Sequence, residues 1–140
     1  MRRIAPRAVA VAALSVGLSI GISGLAYAAS YHAISGTVYS GCSDSGPWYV
    51  SSTARTKDGT GPIMAQFSEI NDGGLTFKLV NKFNVLIGNQ QSWEPNETDV
   101  WRTLSSSVPH GTVFYTAFRS SVYECPDDQD EYEFRGTLFY

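Results

Sequence analysis

The stretch IMAQFSEINDGGLTFKL, residues 63–79, carries the clearest structural signal in the chain. Apolar and polar residues alternate in IMAQF before its centre and in LTFKL after it, which is typical of strands with one buried face. The residues between them, NDGG at 71–74, tolerate the positive φ angles of tight turns. With the short apolar segment Val85–Ile87, taken as a buried strand, the stretch predicts three consecutive strands in an antiparallel meander.

Strand patterns also occur on both sides of this stretch. Further strands are predicted within residues 34–39, 48–56, 112–119 and 132–140. The polar segment 89–99 is interpreted as a long loop, whereas residues 98–108 fit one short helix and a strand almost equally well. Seven or eight short strands predict an all-β domain, either an antiparallel β-sandwich or a small barrel.

The N-terminal residues have the pattern of a secretory signal. Arg2, Arg3 and Arg7 precede an uncharged segment, 8–25, which is followed by Ala26-Tyr27-Ala28. A basic head, an apolar middle and a small-x-small exit predict cleavage after residue 28, the alternative being a retained membrane anchor. The expected mature chain, 29–140, is a single β domain that is secreted and extracellular or associated with the cell wall.

Charge restricts the partners of this domain. Removal of the signal takes away three of the ten basic residues and none of the thirteen acidic ones, so the formal net charge changes from −3 to −6. An acidic domain without a basic cluster argues against nucleic-acid binding and against membrane binding after signal cleavage. The expected partner is an extracellular protein or a glycan, and the expected state is a monomer.

The two cysteines, Cys42 and Cys125, both lie in the expected mature chain. Paired cysteines are common in exported proteins because the compartment is oxidising, so a disulfide is predicted. The alternative is a pair of buried free thiols.

An acidic run near the C-terminus is a possible cation site. A disulfide between the cysteines would bring the 43–46 loop close to this run, and Ca²⁺ prefers clustered carboxylate oxygens. The hypothetical calcium ligands are Asp44, Asp127, Asp128 and Asp130. The alternative is a solvated acidic loop, which is how such runs usually serve.

Aromatic residues are the most unusual part of the composition, at 13% of the chain. Trp48 and Tyr49 lie at a strand entry, and Trp93 lies in the polar segment. Exposed rings can stack on the apolar faces of sugars, so these three are the candidate ligand-binding residues, the alternative being that they cap the ends of the core.

No arrangement in the sequence is typical of a catalytic site. A small ribonuclease-like hydrolase would need a carboxylate base, a histidine acid and arginines that bind phosphate. The chain could supply His110, one of Glu94 and Glu97, and one of Arg102 and Arg119, but these residues are not clustered in the sequence. A hydrolase is therefore kept as an alternative, together with a structural protein of the cell envelope.

The motif W-x-x-L-x-x-x-V-x-x-G-T-x-F, from Trp101 to Phe114, and the C-terminal sequence GTLFY complete the sequence evidence. With the Ala-rich signal, these motifs resemble small exported β-rich proteins of actinobacteria. The resemblance implies a secreted bacterial protein and carries no activity with it. The sequence as a whole favours a secreted, non-enzymatic binding or inhibitory module without a cofactor.

Overall fold

The computed structural model describes residues 28–39, 47–70, 73–121 and 131–140. The predicted signal, apart from residue 28, lies outside the described residues. Within them the fold is all-β, as predicted. Its nine strands are β1 Tyr31–Tyr39, β2 Tyr49–Val50, β3 Arg55–Thr56, β4 Ile63–Ile70, β5 Leu75–Val80, β6 Leu86–Trp93, β7 Arg102–Ser105, β8 Val113–Ser120 and β9 Glu131–Phe139.

The strands form two antiparallel sheets that pack face to face. The front sheet has the order β1-β9-β4-β7, and the back sheet has the order β2-β8-β5-β6 with β3 also paired to β8. The sheets do not close on each other, so the architecture is the β-sandwich and not the small barrel. In the described ranges we find no helix with the length and apolar character needed to cross a membrane.

The predicted meander is only partly right. β5 and β6 form the expected antiparallel pair, but β4 and β5 lie in different sheets. β4 instead pairs with β9 on one side and β7 on the other. The chain therefore passes from one layer to the other between β4 and β5. Alternation identifies the buried face of each strand but not the strand next to it. A strand shows the same alternation whether the following strand lies beside it in one sheet or opposite it in the other sheet.

The segment interpreted as a long loop is mostly strand. β6 extends to Trp93, so the loop prediction is wrong for its first half. The prediction of a strand at residues 85–87 is confirmed from Leu86 onward. Its burial is wrong for Val85 and Leu86, which are exposed, whereas Ile87 packs partly against the core. For residues 98–108 the structure decides between the alternatives in favour of a strand, β7.

The core lies between the sheets and is dominated by aromatic rings. Phe67 of β4 is completely buried, and its ring centroid is 4.7 Å from that of Trp93 and 5.3 Å from that of Phe77, both in the back sheet. Phe134 of β9 completes the contact at 5.6 Å. These edge-to-face contacts join the two sheets near the middle of the sandwich.

Candidate ligand-binding face

Trp93 is a core residue and not an exposed ring. Its exposed fraction is 0%, and its Nε1 donates a hydrogen bond of 2.8 Å to the carbonyl oxygen of Val100. The prediction that Trp93 offers a ring to a ligand from a polar loop is therefore wrong. Its polar neighbours belong to the strand β6, and the Trp93 side chain lies on the inward face of that strand. The guanidinium of Arg102 lies 5.5 Å from its ring centroid.

Trp48 and Tyr49 are half-buried beside the back sheet. The Trp48 ring faces two cations, with Lys78 Nζ 3.8 Å and Arg119 Cζ 4.6 Å from its centroid. Tyr49 packs between Phe118, at 6.2 Å, and Tyr39, at 5.7 Å. Both rings thus contact side chains of the protein itself, and their role in ligand binding stays a prediction.

An aromatic cluster occupies one end of the outer face of the front sheet. Tyr31 of β1 is paired with Phe139 of β9, and their ring centroids are 5.0 Å apart. Tyr31 also lies 6.1 Å from Trp101, which directly precedes β7. Because β1 and β7 are at opposite ends of the sheet order, about 14 Å separates their backbones. The side chains therefore lean over the sheet to meet, and Tyr31 (71% exposed) and Trp101 (37% exposed) present ring surface to solvent.

A groove of about 560 Å³ lies on the same sheet and begins at Ala33, two residues along β1 from Tyr31. Small side chains of β1 follow Tyr31 on the same face and keep the groove open. Its polar and charged side is formed by β9 and β4. Its lining includes Ala33, Ser35, Thr37, Ser68, Glu133 and Arg135.

The charged groups in the groove are well exposed. Arg135 Nε is 3.3 Å from Glu69 Oε2, and Arg135 Nη2 is 3.7 Å from Glu133 Oε2. Exposed ion pairs of this kind contribute little to stability. Their donors and acceptors can therefore exchange water for the hydroxyl groups of a ligand at low cost.

The loop before Trp101 is held in place by several hydrogen bonds. The Glu97 carboxylate accepts from the backbone N–H of Glu94 (2.9 Å) and from Arg102 Nη2 (2.6 Å). These bonds lower the pKa of Glu97, the backbone bond having the larger effect. The N–H of Asp99 donates to the carbonyl of Phe67 at 2.8 Å. The loop therefore presents Trp101 in a fixed orientation.

A second polar cluster, around Asp58, joins the start of β1 to the loop after β3. His32 Nε2 lies 2.7 Å from Ser30 Oγ and 3.2 Å from Asp58 Oδ2, and its ring stacks on Tyr140 at 4.0 Å. In a Ser–His–Asp triad the serine and the aspartate contact opposite ring nitrogens. Here both contact Nε2, so the cluster lacks the geometry that relays a proton to serine.

Two of the residues considered for a ribonuclease-like site contact each other, since Glu97 forms an ion pair with Arg102. His110 Nδ1 donates to the backbone carbonyl of Asp58 at 2.8 Å, and the Arg119 guanidinium faces the Trp48 ring.

The predicted disulfide and calcium residues cannot be placed, since Cys42, Cys125, Asp44, Asp127, Asp128 and Asp130 lie outside the described residues. Among the residues that the structure does describe, no three histidine, cysteine or acidic side chains are arranged to hold a metal ion.

The sequence missed the aromatic cluster because its members come from three distant segments. Residues 31, 101 and 139 meet only through the pairing of the first strand with the last and through the position of β7. The available signal was local: Tyr31 and Phe139 lie next to inward-facing residues and therefore have outward parity.

The protein is a β-sandwich whose front sheet carries an aromatic cluster and a polar groove. No protein-family model matches the chain, and neither the curated proteins nor the solved structures contain a detectable relative. The function is therefore argued from the site alone.

Proposed function

We propose that this protein is a secreted, non-enzymatic binding module that holds a glycan chain on the outer face of its front sheet. The observation that supports this most is the solvent-exposed cluster of Tyr31, Phe139 and Trp101 beside a polar groove. Aromatic rings bind the apolar faces of sugars, and neighbouring polar groups orient the hydroxyls.

The orientation of the rings favours one form of glycan. The planes of Tyr31 and Trp101 are inclined by 56°, and those of Tyr31 and Phe139 by 45°. A flat crystalline polysaccharide would require nearly coplanar rings, whereas inclined rings follow a twisted single chain. From Tyr31 to Thr37 the face is about 20 Å long, which is enough for several sugar rings. The proposed ligand is therefore a soluble or loosely packed polysaccharide chain, such as one exposed on a cell wall.

The first prediction concerns this site. Trp101→Ala should weaken binding to the responsive glycan about fivefold or more, because stacking on an indole contributes on the order of 1 kcal/mol or more. The measurement is depletion of the secreted protein by insoluble polysaccharides and bacterial cell walls, followed by titration with soluble oligosaccharides. Phe83→Ala, which removes an exposed ring from the turn between β5 and β6, is the matched control and should leave binding unchanged.

Two outcomes would contradict the proposal. If none of the glycans tested depletes the protein from solution, the proposal of a carbohydrate ligand is wrong and a protein partner is favoured. Depletion lost with Trp48→Ala but retained with Trp101→Ala would move the site to the back sheet. His110→Ala separates the hydrolase alternative, because it should abolish hydrolysis by such an enzyme and leave a binding module unaffected.

We also propose that Cys42 and Cys125 form a disulfide. The described residues that flank their two segments are adjacent: Tyr39 pairs with Glu131, and Tyr49 pairs with Phe118. Two segments whose flanking residues are paired in this way begin and end close together. We expect neither cysteine of the secreted protein to react with a thiol reagent under denaturing conditions until a reductant is added. Labelling without reductant would contradict the disulfide.

A further inference from the structure

The turn between β5 and β6 has a fixed conformation and an apolar tip. Asn81 Oδ1 accepts hydrogen bonds from the N–H groups of Phe83 (2.8 Å) and Val85 (3.0 Å), and the Asn81 N–H donates to the Val85 carbonyl at 2.9 Å. Asn84 adopts a φ of 61°, which asparagine tolerates better than most residues. The turn is therefore organised before any partner arrives.

This organised turn exposes apolar side chains to solvent. Phe83 is 72% exposed, and Val85, Leu86 and the neighbouring Val113 are each about half exposed. Phe83 and Val113 also line a groove of about 440 Å³. We call Lys82, Phe83, Val85, Leu86 and Val113 the tip surface. A group of large apolar residues held rigidly in water is typical of a docking surface.

The charge of the back sheet is opposite to that of the whole chain. None of its five strands contains Asp or Glu, and neither does the 81–85 turn, although the formal net charge of the chain is −3. Lys82 lies in the turn, with its Nζ 4.9 Å from the Phe83 ring centroid. Lys78 and Arg119 share the Trp48 ring farther along the sheet. Burial, and then the nearby charge of Arg119, lower the pKa of Lys78, so an anion in this region would be favourable.

We propose that the tip surface docks on an anionic lipid bilayer, with Phe83 in the interfacial layer and the cations of the back sheet facing the lipid phosphates. A protruding apolar tip combined with basic residues is the chemistry that binds such an interface. A soluble polyanion would be recognised by the cations alone and would gain nothing from the exposed Phe83. The net charge of the sequence argued against membrane binding. A net charge does not show how the charges are distributed between the faces of the fold.

The experiment measures cosedimentation of the secreted protein with vesicles made from an equal mixture of phosphatidylcholine and phosphatidylglycerol. We expect binding that falls with added salt and falls about tenfold or more with Phe83→Ser, since a phenyl group no longer enters the interface. Lys82→Glu should weaken binding as well. All variants carry the same N-terminus, established by mass spectrometry, so that any contribution from that segment cancels.

Tyr31→Ser is the matched control, because it removes an equally exposed ring from the opposite sheet. It should leave vesicle binding unchanged, and circular dichroism should show that each variant is folded. Absence of binding to these vesicles, or equal binding by the wild type and Phe83→Ser, would overturn the proposal. Polyphosphate serves as the soluble polyanion. If it binds as tightly as the vesicles and Phe83→Ser does not affect either, the surface recognises polyanions and not lipid.

Discussion

Gly136→Ala should destabilise the domain by about 3 kcal/mol or more, enough to remove a large part of the stability of a small domain. Gly136 lies in β9, where its backbone passes close to β4. A Cβ atom at this position would be 2.6 Å from Phe67 Cδ1 and would also contact the carbonyl oxygen of Gln66. The carbonyl belongs to the backbone of a paired strand and cannot move aside without breaking the pairing of β4 and β9.

Chemical denaturation monitored by tryptophan fluorescence measures this effect. Gly61→Ala is the matched control, since no atom of the described residues beyond its chain neighbours lies within 4 Å of the corresponding Cβ position. It should change the free energy of unfolding by no more than about 0.5 kcal/mol. Equal midpoints for Gly136→Ala and the wild type would show that β9 and β4 do not approach as described.

Phe67→Ala should cost about 4 kcal/mol of stability, the range found when a fully buried phenylalanine is truncated. Three rings surround Phe67: Trp93 and Phe77 in the back sheet and Phe134 in the front sheet. Its removal leaves a cavity between the layers that neither sheet can close alone. The same truncation at the exposed Phe83 should have almost no effect on thermal unfolding. A similar loss at both positions would contradict the described core.

The two phenylalanines also show what the sequence could predict. Phe67 lies in the alternating stretch IMAQF, and its burial follows from period-two parity together with β propensity. Phe83 lies outside the alternating stretches, so no local pattern predicts whether it is buried. Its exposure follows from its position in the turn organised by Asn81. The all-β class and the β-sandwich alternative were thus accessible, because local patterns encode strands and their buried faces.

Strand partners were less accessible than the strands themselves. β4 pairs with β9, which lies far away in the sequence, and alternation is the same whichever strand is adjacent. The error at Trp93 has a related cause. The neighbouring inward residue Gln91 is polar, and it is accommodated by donating from Nε2 to the carbonyl of Thr103 at 3.1 Å. Because β6 also contains Asn89, Gln90 and Ser92, its composition is typical of a loop although it forms a strand.

The candidate face consists of aromatic residues, the residue type singled out in the sequence, but they are at other positions. Aromatic residues were expected to bind the ligand, but the three selected from their polar surroundings are buried or packed against the protein. Tyr31, Phe139 and Trp101 are brought together by the register of β1 against β9, which no local pattern specifies. Sites assembled from distant strands depend on topology, and for that reason they are the last feature to be inferred from a single sequence.

The position of β9 determines when this domain can fold during its synthesis. β9 follows every other strand in the sequence but lies between β1 and β4 in the front sheet. Until residues 131–139 have left the ribosome, β1 lacks its described partner and β4 lacks one of its two. A nascent chain of this topology therefore cannot complete its front sheet before β9 has been synthesised, and its long-range pairing makes subsequent folding slow. The proposed export would benefit from this delay, because the unfolded chain is the form that a narrow secretion channel accepts.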